Sequence, residues 1–216
     1  MSTAGSSTIF GNLTYQPSTL TSVANSTRGV VAGGRDSGST PQNNIQYITM
    51  ASSGNATTFG VLSGTRWGMN SGAGSSTRGL FFGGRNSANT FLNVIEYITI
   101  ATTGNTTTFG NLLQVLGGFS SASSSTRAVS AGGVDAGNNY NVIQYVTIAT
   151  TGNATYFGDL SANTSLSAGG SSSTRAVFSL FNNATAISYV TIATTGNSVS
   201  FGNLSQSRIY GSAALS

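Results

Sequence analysis

The sequence predicts an all-β propeller built from four four-stranded repeats of about 50 residues, plus an N-terminal half-repeat. Ser-Thr-Arg recurs at steps of 50, 49 and 48 residues, and Phe-Gly-Xaa-Leu occurs five times. Several short apolar runs separated by glycine-rich turns within one such unit are typical of a propeller blade. The arginines are Arg28, Arg78, Arg127 and Arg175, and the phenylalanines are Phe10, Phe59, Phe109, Phe157 and Phe201.

The first segment of each unit is a short apolar run after the arginine, which we interpret as a strand. In the first three units it ends in a glycine pair: Gly33-Gly34, Gly83-Gly84 and Gly132-Gly133. The fourth unit has Leu180-Phe181 at this place. The altered last unit indicates a modified end blade, because the end of a repeat array must be capped.

The second segment gives the strongest strand signal, a β-branched and aromatic run such as residues 93–100. It ends on Gly-Asn, which predicts a hairpin because both residues tolerate positive φ. The third segment carries Phe-Gly-Xaa-Leu, and each repeat tyrosine, such as Tyr47, precedes its phenylalanine by 12 residues. This constant spacing predicts a fixed hairpin register. A fourth segment, rich in Ser, Ala and Gly, leads to the next arginine.

One domain is expected at 216 residues, with residues 1–25 as the half-repeat and 26–216 as the four-repeat propeller. Five copies of the third and fourth segments against four of the first two do not balance as a simple closed ring. The half-repeat is therefore expected either to add closing strands or to pair with another subunit. A parallel β-solenoid and a β-rich fibre segment remain alternative folds, although a solenoid rung is shorter than this unit.

The composition indicates a neutral, hydroxyl-rich surface, since the chain has 8 basic and 4 acidic residues. Many β-branched and aromatic residues argue against disorder. The arginines are dispersed, so no nucleic-acid partner is predicted. Without Cys or His, thiol chemistry and the commonest metal ligand are absent, and we predict no cofactor and no metal. We expect no signal peptide, no membrane insertion and synthesis in a cytoplasm.

An apolar strand ending in Gly-Gly, followed by a tyrosine and then a second aromatic at fixed distance, resembles a kelch motif with Phe in place of Trp. The repeated wording, including Tyr-Ile-Thr-Ile-Ala-Thr-Thr-Gly-Asn and Phe-Gly-Asn-Leu, is also similar to repeat arrays in structural proteins of tailed bacteriophages, especially cyanophages. The resemblance implies a kelch-like propeller in a virion component, such as a fibre, appendage or decoration protein. Other virion proteins or copies of itself are then the expected partners, and a host-surface glycan the expected ligand.

The candidate binding residues lie where the repeat period breaks, because loops on a rigid scaffold tend to carry binding residues. The segments after the glycine pairs and after Phe-Gly-Xaa-Leu vary most, and an aromatic beside a cation there could stack on a sugar. These positions are Arg35, Asp36, Arg66, Trp67, Arg85, Phe91, Asp135, Tyr140, Arg208 and Tyr210. The repeated arginines are interpreted as structural, capping strand-end carbonyls or stacking on a repeat tyrosine.

No catalytic residues are predicted. A glycosidase needs two converging carboxylates, and the four acidic residues fall at non-equivalent positions in the repeat: Asp36, Glu96, Asp135 and Asp159. Serine has no histidine to activate it. We therefore predict a non-enzymatic virion structural or adhesion protein, with a free-standing lectin-like propeller as the alternative.

Overall fold

The computed structural model describes residues 6–69, 72–166, 168–180 and 185–206, which form four antiparallel sheets of four strands each. The predicted all-β propeller of four four-stranded repeats is confirmed. In the part of the chain that is described, no helix is long and apolar enough to cross a membrane.

Each sheet is a blade whose strands pair in sequence order. Blade 1 contains β1 (Thr21–Ala24), β2 (Arg28–Ala32), β3 (Asn44–Thr49) and β4 (Thr57–Val61). Blade 2 contains β5 (Ala73–Gly74), β6 (Arg78–Phe82), β7 (Val94–Thr99) and β8 (Thr107–Asn111). Blade 3 contains β9 (Ser120–Ser123), β10 (Arg127–Ala131), β11 (Tyr140–Thr147) and β12 (Thr155–Thr164). Blade 4 contains β13 (Gly169–Ser171), β14 (Arg175–Ser179), β15 (Ala186–Thr191) and β16 (Val199–Asn203).

The Ser/Ala/Gly-rich segments form the innermost strands, each of which begins a blade. β1 contacts β5, β5 contacts β9 and β9 contacts β13, whereas no contact of similar extent joins β13 to β1 within the described residues. Small side chains are needed because these strands converge: a Cβ on Gly72 would lie 2.5 Å from the carbonyl oxygen of Ser22. β1 belongs to blade 1, so residues 21–24 of the half-repeat are built into the first blade.

The glycine pairs require the left-handed backbone region. Gly33 and Gly34 have φ values of 62° and 94°, and the other two pairs are likewise positive. The Gly-Asn dipeptides lie in the hairpins that join the third and fourth strands of each blade, as predicted. The predicted reason is wrong, because Gly54, Gly104 and Gly152 do not have positive φ. Their role is instead contact with the neighbouring blade.

Hydrogen bonds between neighbouring blades explain why Gly-Asn recurs in these turns. The Gly104 amide donates to the carbonyl of Phe59 at 2.8 Å, and the Val61 amide donates to Oδ1 of Asn105 at 3.1 Å. The same contacts join blades 2 and 3, and blades 3 and 4. They also join the N-terminal segment 10–12 to the turn at residues 54–56. Residues 10–12 thus occupy the place that the outer strand of a preceding blade would take.

The apolar core lies between neighbouring blades. Phe59 packs with residues of blade 1 and with Phe81, Ile98 and Ile100 of blade 2, and equivalent clusters separate the later blades. Burial of one such phenylalanine contributes roughly 1.5–3 kcal/mol to stability. The predicted hairpin register places each repeat tyrosine edge-to-face on its phenylalanine, with Tyr47 and Phe59 ring centroids 6.0 Å apart.

The repeated arginines are structural, as predicted. Arg78 stacks on Tyr97 in its own blade, with Cζ 4.6 Å from the ring centroid. Its Nη1 donates to the carbonyls of Ile148 and Ala149 at 2.9 and 2.8 Å, capping the end of β11 in the next blade. Arg28 and Arg127 make the corresponding stacking and cross-blade contacts. Each of these arginines therefore ties its blade to the following one.

Candidate functional site

The variable segments after the glycine pairs are brought together at one end of neighbouring blades. Trp67, in the connection between β4 and β5, forms an antiparallel bridge with Arg85, which follows the glycine pair of blade 2. The Trp67 amide donates to the Arg85 carbonyl at 3.0 Å, and the Arg85 amide donates to the Trp67 carbonyl at 2.8 Å. Arg85 also bridges Phe91 across its own loop. Residues from two blades thus share one surface.

Four of the predicted side chains form a cationic aromatic cluster, which we call the Trp67 cluster: Arg35, Trp67, Arg85 and Phe91. Arg35 Cζ lies 3.4 Å from the centroid of the Trp67 ring, so one face of the indole is covered by a guanidinium. Arg85 Cζ lies 5.0 Å from the Trp67 centroid and 4.0 Å from that of Phe91. The indole Nε1 donates to the Asn86 carbonyl at 3.3 Å. These stacking contacts hold both guanidinium groups in place.

Two positive charges close together make this surface attractive to electron-rich groups. Partial burial lowers the pKa of Arg85, and the nearby charge of Arg35 lowers it further. The pKa of a guanidinium is high enough that Arg85 stays protonated at neutral pH. Its N–H groups are therefore available as charged donors, one of which binds Asn89 Oδ1 at 3.1 Å.

An open groove of about 540 Å³ lies beside the Trp67 cluster, between the loops of blades 2 and 3. It is lined by Arg85, Asn89, Thr90, Phe91, Val115, Asp135, Ala136 and Gly137. Arg85, Phe91 and Asp135 were predicted as binding residues, whereas the other five were not named individually. All five fall within variable segments of the repeat, Val115 after Phe-Gly-Xaa-Leu and the other four after a glycine pair, and that variability was the available signal. The volume is in the range of pockets that hold small ligands.

Asp135 and Tyr140 are paired within one loop. The Tyr140 hydroxyl donates to Asp135 Oδ2 at 2.6 Å, and the amides of Gly137 and Asn138 donate to Oδ1. The hydrogen bond from Tyr140 lowers the pKa of the Asp135 carboxyl, and the carboxylate raises the pKa of Tyr140. Asp36 organises the loop of blade 1 similarly, accepting from the amides of Gly38 and Thr40. Both carboxylates shape the loops that carry them.

Arg66 does not line a binding surface. Its side chain is buried and forms an ion pair with the buried carboxylate of Glu96. Its Nη1 also donates to the Gly83 carbonyl at 3.3 Å. Burial lowers the pKa of Arg66 to about 10. The placement of Arg66 on a ligand-contacting loop is therefore wrong. Arg208 and Tyr210 lie outside the described residues.

Each of the four carboxylates has an intramolecular partner. Glu96 pairs with Arg66, Asp36 and Asp135 accept from their own loops, and Asp159 accepts from the hydroxyl of Tyr156 at 2.7 Å. Among the described residues, no group of three or more acidic side chains could hold a metal ion. The groove offers hydrogen-bond donors, one carboxylate and the apolar side chains of Phe91 and Val115, a combination that suits recognition of a polar ligand.

Comparison with known proteins supports the fold. No protein-family model matches the chain, and no curated protein matches its sequence. A solved structure described as "Structure of YjhT" is similar with a TM-score of 0.74 and 12% sequence identity, over 92% of this chain and 74% of that one. At this identity the similarity concerns the fold alone.

Proposed function

We propose that the protein is a non-enzymatic structural and adhesion component of a tailed-phage particle, in which the groove beside the Trp67 cluster contacts a carbohydrate of the host surface. The blades serve as the scaffold. In each blade that another blade follows, the repeated arginine donates to that next blade and the repeated phenylalanine is buried against it. The repeat vocabulary described above supports the assignment to a fibre, appendage or decoration protein.

The adhesive role depends on one observation, the position of Arg85. Stacking on Phe91 fixes its guanidinium, and Arg85 lines the groove together with Asp135. Sugars present several hydroxyl groups in fixed geometry, and a rigid donor fork beside a carboxylate can bind adjacent hydroxyls in complementary fashion. Val115 and Phe91 offer apolar contact for the C–H face of a sugar ring.

A glycan array followed by titration tests this role. Trp67 is the single tryptophan of the chain, so its fluorescence reports directly on binding next to Arg85. We expect Arg85→Ala to weaken binding about tenfold or more, since hydrogen bonds from charged groups contribute roughly 1.5–3 kcal/mol. Arg175→Ala, which removes the same charge from blade 4, is the matched control. An array without hits, or equal affinity of the Arg85→Ala variant and the wild type, would contradict the proposal.

Association with a particle needs a separate test. Mass spectrometry and immunogold labelling of purified particles should place the protein in a virion appendage. If the protein binds a glycan through Arg85 but is absent from particles, the alternative role as a free-standing lectin-like propeller is supported instead.

A further inference from the structure

The outer face of blade 4 differs from the corresponding faces of the earlier blades. Phe201 in β16 is 56% exposed, whereas its counterparts are at most 3% exposed: Phe59, Phe109 and Phe157. The counterparts are buried because each packs into a cluster with residues of the following blade. We call this surface of blade 4, which includes Arg175, Ile187, Tyr189 and Phe201, the trailing face.

The polar contacts of the trailing face are also incomplete. The other three repeated arginines donate to a strand-end carbonyl of the next blade, whereas Arg175 only stacks on Tyr189 within the described residues. A Cβ on Gly60, Gly110 or Gly158 would lie 2.1–2.2 Å from a glycine carbonyl oxygen of the following Gly-Asn turn. A Cβ on Gly202 would meet nothing within 4 Å. The trailing face thus has the shape and donors of a blade interface, and no partner blade covers it among the residues that the structure describes.

The complementary surface lies on blade 1, and we call it the leading face. Met50, at its centre, is 48% exposed, whereas its counterparts are buried against the preceding blade: Ile100, Ile148 and Ile192. Among the described residues, the hydrogen bonds that the Gly-Asn turn of blade 1 makes to another segment come from residues 10–12, which belong to no strand. Phe10 is itself 40% exposed, so this segment covers the leading face incompletely.

We propose that the trailing face of one molecule binds the leading face of a second copy, joining chains head to tail. β16 then replaces residues 10–12 on the turn, because both segments offer the same carbonyl and amide groups to Gly54 and Asn55. Phe201 packs against Met50 of the second copy, and Arg175 caps the Met50 carbonyl. The second copy is the occupant because its blade 1 carries the repeat elements that cover this face in the three interior interfaces.

Sedimentation velocity on two complementary variants tests the proposal. Phe201→Arg blocks the trailing face and Met50→Arg blocks the leading face, since each places a charge in an apolar interface. Wild-type protein should self-associate with rising concentration, and each variant alone should associate at least tenfold more weakly. An equimolar mixture should form a heterodimer through the one intact pair of faces. A monomeric wild type, a mixture that stays monomeric, or self-association of either variant at wild-type strength would overturn the proposal.

Two further variants make the result specific. Leu113→Arg is the matched control, because Leu113 is 46% exposed but lies on an interior blade, and it should associate like the wild type. Gly11→Ala places a Cβ 2.0 Å from the Gly54 carbonyl oxygen and so expels residues 10–12 from the turn. This variant should associate more tightly than the wild type. Weaker association of Gly11→Ala than of the wild type would overturn the proposed displacement of residues 10–12. Loss of association in Leu113→Arg would overturn the assignment of the two faces.

Discussion

Arg66 and Glu96 form an ion pair between the connection after blade 1 and the middle strand of blade 2, with both side chains buried. The corresponding positions one unit later are Leu116 and Gln144, where the Gln144 side chain accepts the Leu113 amide at 2.8 Å. Equivalent buried positions of the repeat are therefore filled by a charged pair in one unit and by two neutral side chains in the next.

Glu96→Gln should destabilise the protein by about 3–5 kcal/mol, because it leaves the buried Arg66 charge without a counter-charge. The double variant Arg66→Leu with Glu96→Gln copies the next unit and should recover most of that loss. Urea unfolding measures both free energies of unfolding. Equal stability of the single and double variants would show that the buried charge needs no counter-charge.

Gly60→Ala should weaken the interface between blades 1 and 2. The added methyl group would lie 2.1 Å from the Gly104 carbonyl oxygen, a backbone atom that cannot move aside without separating the blades. We expect a loss of about 1–3 kcal/mol in thermal or urea unfolding, as for other overpacked interiors. Gly104→Ala is the control, because a Cβ there meets nothing within 4 Å, and it should change stability by less than about 1 kcal/mol.

Arg78→Ala should cost about 1.5–3 kcal/mol of unfolding free energy, since it removes the donors to Ile148 and Ala149 together with the stack on Tyr97. Within the described residues of one chain Arg175 makes only a stack, on Tyr189, so Arg175→Ala should cost less than about 1 kcal/mol at concentrations where the protein is monomeric. The difference between the two measures the cross-blade cap. Equal losses would assign the whole effect to stacking.

Tyr140→Phe should raise the pKa of Asp135 towards its ordinary value, because the hydroxyl that stabilises the carboxylate is removed. A depressed carboxyl pKa contributes stability that is present above the unfolded-state pKa and lost as pH falls through the folded-state pKa. The variant should therefore lose less stability on acidification than the wild type. NMR titration of the Asp135 carboxyl checks the shift, and an unchanged pKa would contradict the assigned cause.

The repeat period carried most of the fold prediction. The tyrosine and phenylalanine at the positions of Tyr47 and Phe59 recur at a constant spacing in every unit. This regularity follows from the edge-to-face contact between the two rings, which each blade must make. The Ser/Ala/Gly-rich segments were assigned to the end of a unit, whereas they begin the next blade. Sequence order alone does not distinguish these two frames, because a repeat has no intrinsic first strand.

The candidate site was predicted less completely for a physical reason. Arg35, Trp67 and Arg85 lie in segments that vary from unit to unit, which marked them as loop residues, and the structure stacks them together. Arg66 also breaks the period, but its burial depends on Glu96, 30 residues away, and a local pattern does not reveal such a partner. The roles of the Gly-Asn turns were missed similarly, since Asn105 serves the preceding blade as well as its own hairpin.

The hydrogen bonds from each blade to the asparagine of the following Gly-Asn turn connect residues 38 to 44 positions apart, such as Val61 with Asn105 and Asp159 with Asn197. Each blade thus completes the surface of the blade made just before it, and residues 10–12 are satisfied by blade 1. During synthesis on the ribosome, the apolar face of a finished blade needs to wait for only one further unit to emerge. Such nearest-neighbour assembly allows folding to advance from the N-terminus in steps of one repeat.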